Sequence, residues 1–148
     1  MRIGLLAGAM AAGLAWGSVA LSEPDSQGLL SITFDDASLS QHDLGLRAAR
    51  DHGLAGTLFV TTKYADEATP NADGWYMGWA EIRAFRRAGW EIGSHSHTHV
   101  HLPQLDDSQV IAELDTSKSI IKKRTGIAPV SFAPQFGDFD ARTAKLIL

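Results

Sequence analysis

The sequence predicts an α/β fold with parallel strands, either barrel-like or doubly wound. Short apolar runs rich in β-branched residues alternate four times with longer stretches of helical pattern. The length of 148 residues allows one domain, and 45% hydrophobic and 20% charged residues are ordinary for a globular chain. Because active sites of such folds gather where parallel strands end, we expect reactive side chains directly after the strands.

The first half of the chain contains two predicted strands. Residues 29–34 form a short apolar run that stops at two aspartates, which is typical of a buried strand. Residues 39–52 place apolar side chains among charges and precede a glycine, which predicts a helix. Residues 56–61 predict the second strand, and the polar residues 64–74, with their proline and glycine, predict a loop.

The second half repeats the alternation. Residues 79–88 predict a helix, residues 90–93 a short strand, and residues 106–125 a long helix with a glycine after it. Residues 130–132 predict a fourth strand, and another helix begins at about residue 140. The first of these helices presents one apolar face, made of Trp79, Ile82 and Phe85.

The amino terminus has the pattern of a secretory signal peptide. Residues 1–20 combine one early charge, Arg2, with an apolar run and a small-x-small end at Ser18–Ala20. The alternative, an uncleaved membrane anchor, requires a more hydrophobic run. We therefore predict export to the periplasm, envelope or exterior, a linker over 21–28, a domain over 29–148, and no stable membrane span after cleavage.

Charge and cysteine content limit the chemistry. A formal charge of −4 gives no general attraction to phosphates, so no nucleic-acid partner is expected. The chain has no cysteine, which excludes disulfides, thiolate metal sites and a cysteine nucleophile. Any metal must be held by histidine, aspartate or glutamate.

Two clusters of such residues follow predicted strands. Asp35 and Asp36 end the first strand, and neighbouring carboxylates repel each other unless a cation or a shared proton relieves them. Four of the six histidines lie between His95 and His101. A spacing of four residues lets His95 and His99 reach one ion across a turn, whereas in a straight strand all four would share a face. Solvated turn aspartates and an exposed histidine-rich loop are the alternatives.

The combination favours a catalytic metal site. Two histidines and one aspartate leave open positions on an ion such as Zn²⁺, as catalytic sites require. Water bound there becomes a better nucleophile near neutral pH, and the second carboxylate is a natural general base.

Both clusters resemble motifs of the polysaccharide deacetylases, also called NodB-homology or carbohydrate esterase family 4 proteins. Residues 33–36 are similar to their first motif, and residues 91–99 to their His-Thr/Ser-x-x-His motif. The resemblance implies a distorted (β/α) barrel of about seven strands, of which this chain supplies about four. Since residues 145–148 end the chain on an apolar helical segment, we expect the front part of such a domain.

The resemblance also implies roles for individual residues. Asp35 falls on the catalytic base, and Asp36, His95 and His99 fall on the metal ligands; the family ion is usually zinc, sometimes cobalt or nickel. The implied reaction is hydrolysis of an N-acetyl, or sometimes O-acetyl, group on a glycan. His97 and the later His101 match no ligand position.

Residues 132–137 lie where the family has its third motif, often Arg-x-Pro-Tyr-Gly. Pro134 and Gly137 are present, Phe136 replaces the aromatic residue, and Ala133 replaces the arginine that orients the base. Relatives resembling the poly-N-acetylglucosamine deacetylases share this Phe-Ala. The resemblance implies that the Phe136 N–H helps to hold the oxyanion. The histidine acid of the late family motif has no counterpart in this sequence.

We therefore predict a metal-dependent hydrolase that removes N-acetyl groups from a glycan containing N-acetylglucosamine. Three alternatives remain. One is a catalytically impaired glycan-binding relative, indicated by the missing arginine and the missing acid. The others are an exported zinc-binding protein that uses the histidine cluster, and a non-haem iron oxygenase with two histidines and one carboxylate.

Overall fold

The strands of the protein form one parallel sheet. The computed structural model describes residues 28–68 and 74–148, and its elements belong to one compact unit, Ser31–Leu148. The sheet has the order β1-β2-β3. Its strands are β1 (Thr33–Phe34), β2 (Thr57–Val60) and β3 (Glu91–Ser94). The predicted α/β class with parallel strands is confirmed.

The register of the sheet aligns four chain segments so that they end at one edge. Thr57 of β2 pairs with Thr33 on one side and with Glu91 on the other. Beyond β3, Ser94 forms a parallel bridge with Phe132. Because all these segments run in the same direction, their carboxyl ends lie at the same edge of the sheet.

Five α-helices connect and cover the strands of the described part of the chain. They are α1 (Arg47–Asp51), α2 (Thr62–Glu67), α3 (Trp79–Arg87), α4 (Asp107–Thr125) and α5 (Ala141–Ile147). A π-helical segment, Gln41–Leu46, precedes α1. The helices predicted near 79–88, 106–125 and 140 are confirmed with small shifts of their ends.

The core lies between the sheet and α3. Phe34 stacks on Trp90 with ring centroids 5.0 Å apart, and Phe85 meets both rings edge to face. Ile82 and Phe85 are fully buried and Trp79 is 6% exposed, which confirms the apolar face predicted for this helix. Burial of these large side chains is the main stabilising contribution of the region.

Capping explains where α4 begins and ends. The Asp106 carboxylate accepts the backbone N–H of Gln109, and the Gln109 side chain accepts the N–H of Asp106. This reciprocal pair satisfies two amides that a helix start leaves open. Gly126 ends the helix in the left-handed conformation at φ 82°, which glycine adopts without steric cost.

Three predicted elements were wrong in extent or type. The first strand is limited to β1 because its ladder with β2 begins at Thr33. The fourth strand, 130–132, is reduced to the bridge at Phe132. Part of the predicted loop 64–74 lies in α2, whose first amides donate to carbonyls of the distant residues Ser96 and His97. Such long-range partners leave no pattern in the local sequence.

The predicted signal peptide and most of the predicted linker lie outside the described residues. Within the described ranges, no helix has the length and apolar character needed to span a membrane.

We expect Gly56→Ala to destabilise the sheet. A Cβ at this position would lie 2.1 Å from the backbone oxygen of Ile32, and backbone cannot move away without disturbing β1 and β2. The expected loss of unfolding free energy is about 1–3 kcal/mol, measured by urea unfolding of the full chain. Gly28→Ala is the control, since nothing described lies within 4 Å of its new Cβ. Equal stability of the two variants would contradict the close packing at Gly56.

Candidate metal centre

Side chains from two strand ends converge on one carboxylate oxygen. Asp36 follows β1, and His95 and His99 follow β3. Asp36 Oδ1 lies 3.3 Å from His95 Nε2 and 2.9 Å from His99 Nε2. One ligand atom from each residue lies within 4.8 Å of the other two. The structure thus brings together the three residues predicted as metal ligands.

The donor atoms of this centre fit a divalent cation. His95 Nδ1 lies 2.8 Å from the Ala133 carbonyl oxygen, which can only accept, so Nδ1 carries the hydrogen and Nε2 of the neutral ring keeps its lone pair. Asp36 Oδ1 is buried and forms no hydrogen bond with any described residue. The lone pairs of His95 Nε2 and Asp36 Oδ1, 3.3 Å apart, repel each other unless positive charge lies between them. Two imidazoles and one carboxylate are a Zn²⁺-type set with open positions.

The backbone of His95 continues the hydrogen bonding of β3. Its N–H donates to the Val60 carbonyl at 3.0 Å, and its carbonyl accepts the Thr61 hydroxyl at 3.3 Å. The residue is 3% exposed. His95 therefore has a fixed position on the sheet, as a ligand needs.

The half-buried carboxylate of Glu113 supports the loop between His95 and His99. Glu113 of α4 accepts the backbone N–H groups of His97 and Thr98 at 2.9 and 2.8 Å, and also the Thr98 hydroxyl. The sequence analysis missed Glu113. A signal was present, because Val110, Glu113 and Ser117 are spaced three and four residues apart and so share the buried face of α4.

The environment of Glu113 favours its charged form. Burial by itself would raise the pKa of this carboxyl, but the hydrogen bonds from Thr98, His97 and Ser96 outweigh it and hold the pKa below the ordinary 4.5. The carboxylate is therefore ionised at neutral pH and accepts several hydrogen bonds at once.

Backbone strain is concentrated in the loops of this centre. Five non-glycine residues of the described chain have positive φ, between 58° and 68°. All five lie in the loops after β1, β3 and Phe132: they are Asp36, Ala37, Ser96, His99 and Phe136. A left-handed residue of this kind costs about 1–2 kcal/mol, so surrounding contacts must hold each of them in place.

The third loop places an aromatic ring beside a ligand. The Phe136 ring is 61% exposed and meets the His99 ring edge to face, with centroids 4.7 Å apart. Pro134 precedes the short 3₁₀ turn Gln135–Gly137, and the N–H of Gly137, the last residue of the turn, donates to the Pro134 carbonyl. Of the three loop residues predicted from the sequence, Phe136 contacts a ligand of the centre.

The sequence of this chain matches a known protein family. The model of a family described as polysaccharide deacetylase matches residues 22–147, nearly the whole chain. The chain belongs to the polysaccharide deacetylase family. The enzyme class predicted from the sequence is thus confirmed at the level of the family.

Individual members of the family are distant in sequence and similar in fold. A chitin deacetylase of Amylomyces rouxii is 27% identical over 81% of this chain and 25% of its own length. A family 4 carbohydrate esterase from Streptomyces lividans, solved in complex with acetate, is 29% identical with a TM-score of 0.66, covering 82% of this chain and 60% of that one. A family pseudoenzyme from Bacillus anthracis is 20% identical with a TM-score of 0.68. The match covers 78% of this chain and 38% of the pseudoenzyme.

These structures confirm the predicted NodB-homology fold. The chain spans 13 to 40% of the length of the curated relatives that it matches. The poly-N-acetylglucosamine deacetylase-like subgroup stays a prediction.

Three further residues considered in the sequence analysis, Asp35, His97 and His101, are not among the three converging ligands of this deacetylase-family chain. Asp35 is exposed, and its carboxylate has no ion pair or hydrogen bond within the described ranges; its carbonyl accepts the Gln41 amide at 2.8 Å. His97 Nδ1 bonds the Thr62 hydroxyl at 2.9 Å, and His101 Nδ1 bonds the Asp138 carboxylate at 2.8 Å.

A pair of stacked tyrosines that the sequence analysis did not identify lies beside the centre. Tyr64 of α2 stacks on Tyr76 with centroids 4.4 Å apart, and its ring lies 5.8 Å from the His99 ring. Burial, followed by Tyr76 and the Asp36 carboxylate, raises the pKa of the Tyr64 phenol, so it stays protonated at neutral pH.

We expect Glu113→Gln to lower the free energy of unfolding at neutral pH and to weaken its dependence on pH in the acidic range. Because the folded pKa of Glu113 is lowered, its contribution is present above the ordinary value of 4.5 and is lost as the pH falls through the folded value. The variant should lose about 1–3 kcal/mol at neutral pH and show a shallower decline of stability below pH 4.5, measured by urea unfolding across pH. Asp115→Asn, at an exposed position of α4, is the control. Parallel pH profiles of Glu113→Gln and the wild type would contradict this role.

Proposed function

We propose that this chain is a metal-dependent deacetylase that hydrolyses N-acetyl groups of a glycan containing N-acetylglucosamine. The observation that carries the proposal is the convergence of His95 and His99 on the buried, unbonded Oδ1 of Asp36. We propose Zn²⁺ as the ion, with Co²⁺ or Ni²⁺ as functional substitutes, because imidazole and carboxylate ligands suit all three. Export, directed by residues 1–20, would bring the protein to its polymeric substrate.

The bound cation would polarise the acetyl carbonyl and lower the pKa of a water molecule. Asp36, His95 and His99 would hold it, and the Ala133 carbonyl keeps the His95 ring in the tautomer that ligation needs. The net reaction breaks the amide C–N bond and one O–H bond of water, and it releases acetate and a free amine.

Asp35 is the proposed general base. It follows β1 directly and precedes the ligand Asp36, so both carboxylates lie at the carboxyl end of the sheet. Its exposed carboxylate can accept a proton from the attacking water. The Phe136 N–H is the proposed donor to the developing oxyanion, and the ring of the same residue contacts His99. Pro134 and Gly137 are proposed to shape the loop that carries it.

The proposed substrate class is inferred from the activities of related proteins. Those matched in sequence include chitin deacetylases, and those matched in structure include a peptidoglycan deacetylase of Bacillus subtilis. Chitin and peptidoglycan both contain an acetylated amino sugar. We therefore propose an acetylated glycan of this class as the partner.

A catalytically impaired, glycan-binding role is the second candidate. Ala133 occupies the position of the family arginine, and Asp35 has no cationic partner among the described residues. The Bacillus anthracis pseudoenzyme shows that this fold also exists without the activity. Acetate release from N-acetylglucosamine oligomers, compared with binding of the same oligomers, separates the two functions.

A zinc-storage role has weaker support. It needs several histidines of the cluster as ligands, yet His97 and His101 bond to Thr62 and Asp138 through Nδ1. The described residues contain one group of three potential ligands close enough to share an ion.

We expect Asp35→Asn and Asp36→Ala to fail in different ways. Asp35→Asn should lower acetate release by about 100-fold or more while metal affinity is retained, because it removes a proton acceptor and no ligand. Asp36→Ala should lower metal affinity itself, because the carboxylate oxygen between the imidazoles is lost. Acetate release and Zn²⁺ titration of both variants measure these effects. Full activity of Asp35→Asn would contradict its assignment as the base.

We expect one ion per chain at the three-ligand centre. Metal analysis after dialysis should find about one equivalent of Zn²⁺, and a chelator should stop acetate release until Zn²⁺ or Co²⁺ is added back. The storage alternative predicts several ions per chain and no effect of Asp36→Ala on their number. Activity that survives complete metal removal would contradict the proposed mechanism.

A further inference from the structure

We propose that His101 and Asp138 are positioning residues that hold Phe136 against the metal-ligand loop. The inference rests on the proposed deacetylase function, in which the Phe136 N–H donates to the oxyanion. It concerns two side chains that lie outside the three-ligand centre and that the proposed chemistry does not otherwise use.

Phe136 needs an external restraint. Its backbone lies in the left-handed region, at φ 58° and ψ 8°, although it carries a bulky side chain. Its ring is 61% exposed, so burial in the core does not impose this conformation. A residue in this region persists only where specific contacts hold it.

Two imidazole rings supply those contacts. The His101 ring stacks on the Phe136 ring with centroids 4.1 Å apart and planes 14° apart. The His99 ring meets the same phenyl ring edge to face, at 4.7 Å and 73°. His99 and His101 are two residues apart on one loop, so the phenyl ring is held by the loop that carries a metal ligand.

Asp138 fixes the ring that does the stacking. Its carboxylate lies 2.8 Å from His101 Nδ1, and it follows Phe136 by only two residues. The hydrogen bond and the stack therefore close a small ring of contacts around the Phe136 turn. Both side chains of the pair are 41% exposed, and such pairs add little to global stability. Orientation is the effect that this geometry supports.

The arrangement couples the third loop to the ligand loop. An oxyanion donor must lie within a few tenths of an ångström of its working position to be effective. When the stack is lost, Phe136 can leave the left-handed conformation and its N–H turns away. Metal binding would be retained, because His101 is not one of the three ligands.

The test compares three variants of the full chain on N-acetylglucosamine oligomers. His101→Ala removes the stack, His101→Phe keeps an aromatic face, and His52→Ala removes an exposed histidine elsewhere. We expect His101→Ala to lower kcat about tenfold or more with KM and Co²⁺ affinity within about twofold, since only a transition-state contact is lost. His101→Phe, which keeps the stack and loses the hydrogen bond to Asp138, should recover part of the loss, and His52→Ala should match the wild type.

A second readout needs no activity. Labelling with 4-fluorophenylalanine gives six ¹⁹F signals, or seven in His101→Phe, and Phe136→Leu in each background identifies the signal of Phe136. We expect that signal to lie away from its unfolded position in the wild type and to return toward it in His101→Ala. It should lie between these positions in His101→Phe and in Asp138→Ala, because both keep an aromatic ring at position 101 and lose the hydrogen bond.

Two outcomes would overturn the inference. One is an unchanged Phe136 signal in His101→Ala; the other is a loss of kcat that is matched by losses of Co²⁺ affinity and Tm, which shows a merely structural role. If the wild type releases no acetate, the proposed function fails, and the ¹⁹F signal alone decides whether His101 positions Phe136.

Discussion

The backbone pairing of β3 with a segment on each side determines the positions of the site loops. The His95 N–H donates to Val60 of β2 at 3.0 Å, while Ser94 exchanges hydrogen bonds with Ser131 and Ala133 at 2.9 and 3.0 Å. This ladder places the Ala133 carbonyl where it meets His95 Nδ1. One set of backbone hydrogen bonds therefore sets the location of a ligand and of the group that orients it, which is the support a metal centre needs.

The loops that leave this edge are strained, and polar contacts hold them. The positive φ values of Ser96 and His99 lie in the loop that Glu113 ties to α4 through three hydrogen bonds. On its other side, the same loop accepts the first amides of α2. The stabilising contacts come from helices distant in the sequence, so the cost of the loop conformation is offset by the completed fold.

Much of the fold and of the site could be predicted because it depends on local pattern. The apolar face of α3 follows helical spacing, and the limits of α4 follow from its capping residues. The positions of Asp36, His95 and His99 directly after strand runs predicted that they would meet. What escaped prediction depends on partners far along the chain: the first amides of α2 donate hydrogen bonds to carbonyls of the histidine loop, and Glu113 of α4 accepts amides of the same loop.

The sequence by itself determined the kinds of residue available, namely histidine and carboxylate ligands with no cysteine, and their placement at the ends of parallel strands. Strand propensity and chain order suffice for that, because parallel strands must end at a common edge. Only the tertiary structure decided what each of the four clustered histidines contacts. His95 and His99 turn toward Asp36, whereas Thr62 bonds to His97 and Asp138 to His101. Those contacts depend on loop dihedral angles and on side chains brought in by other elements, which the spacing of the histidines does not encode.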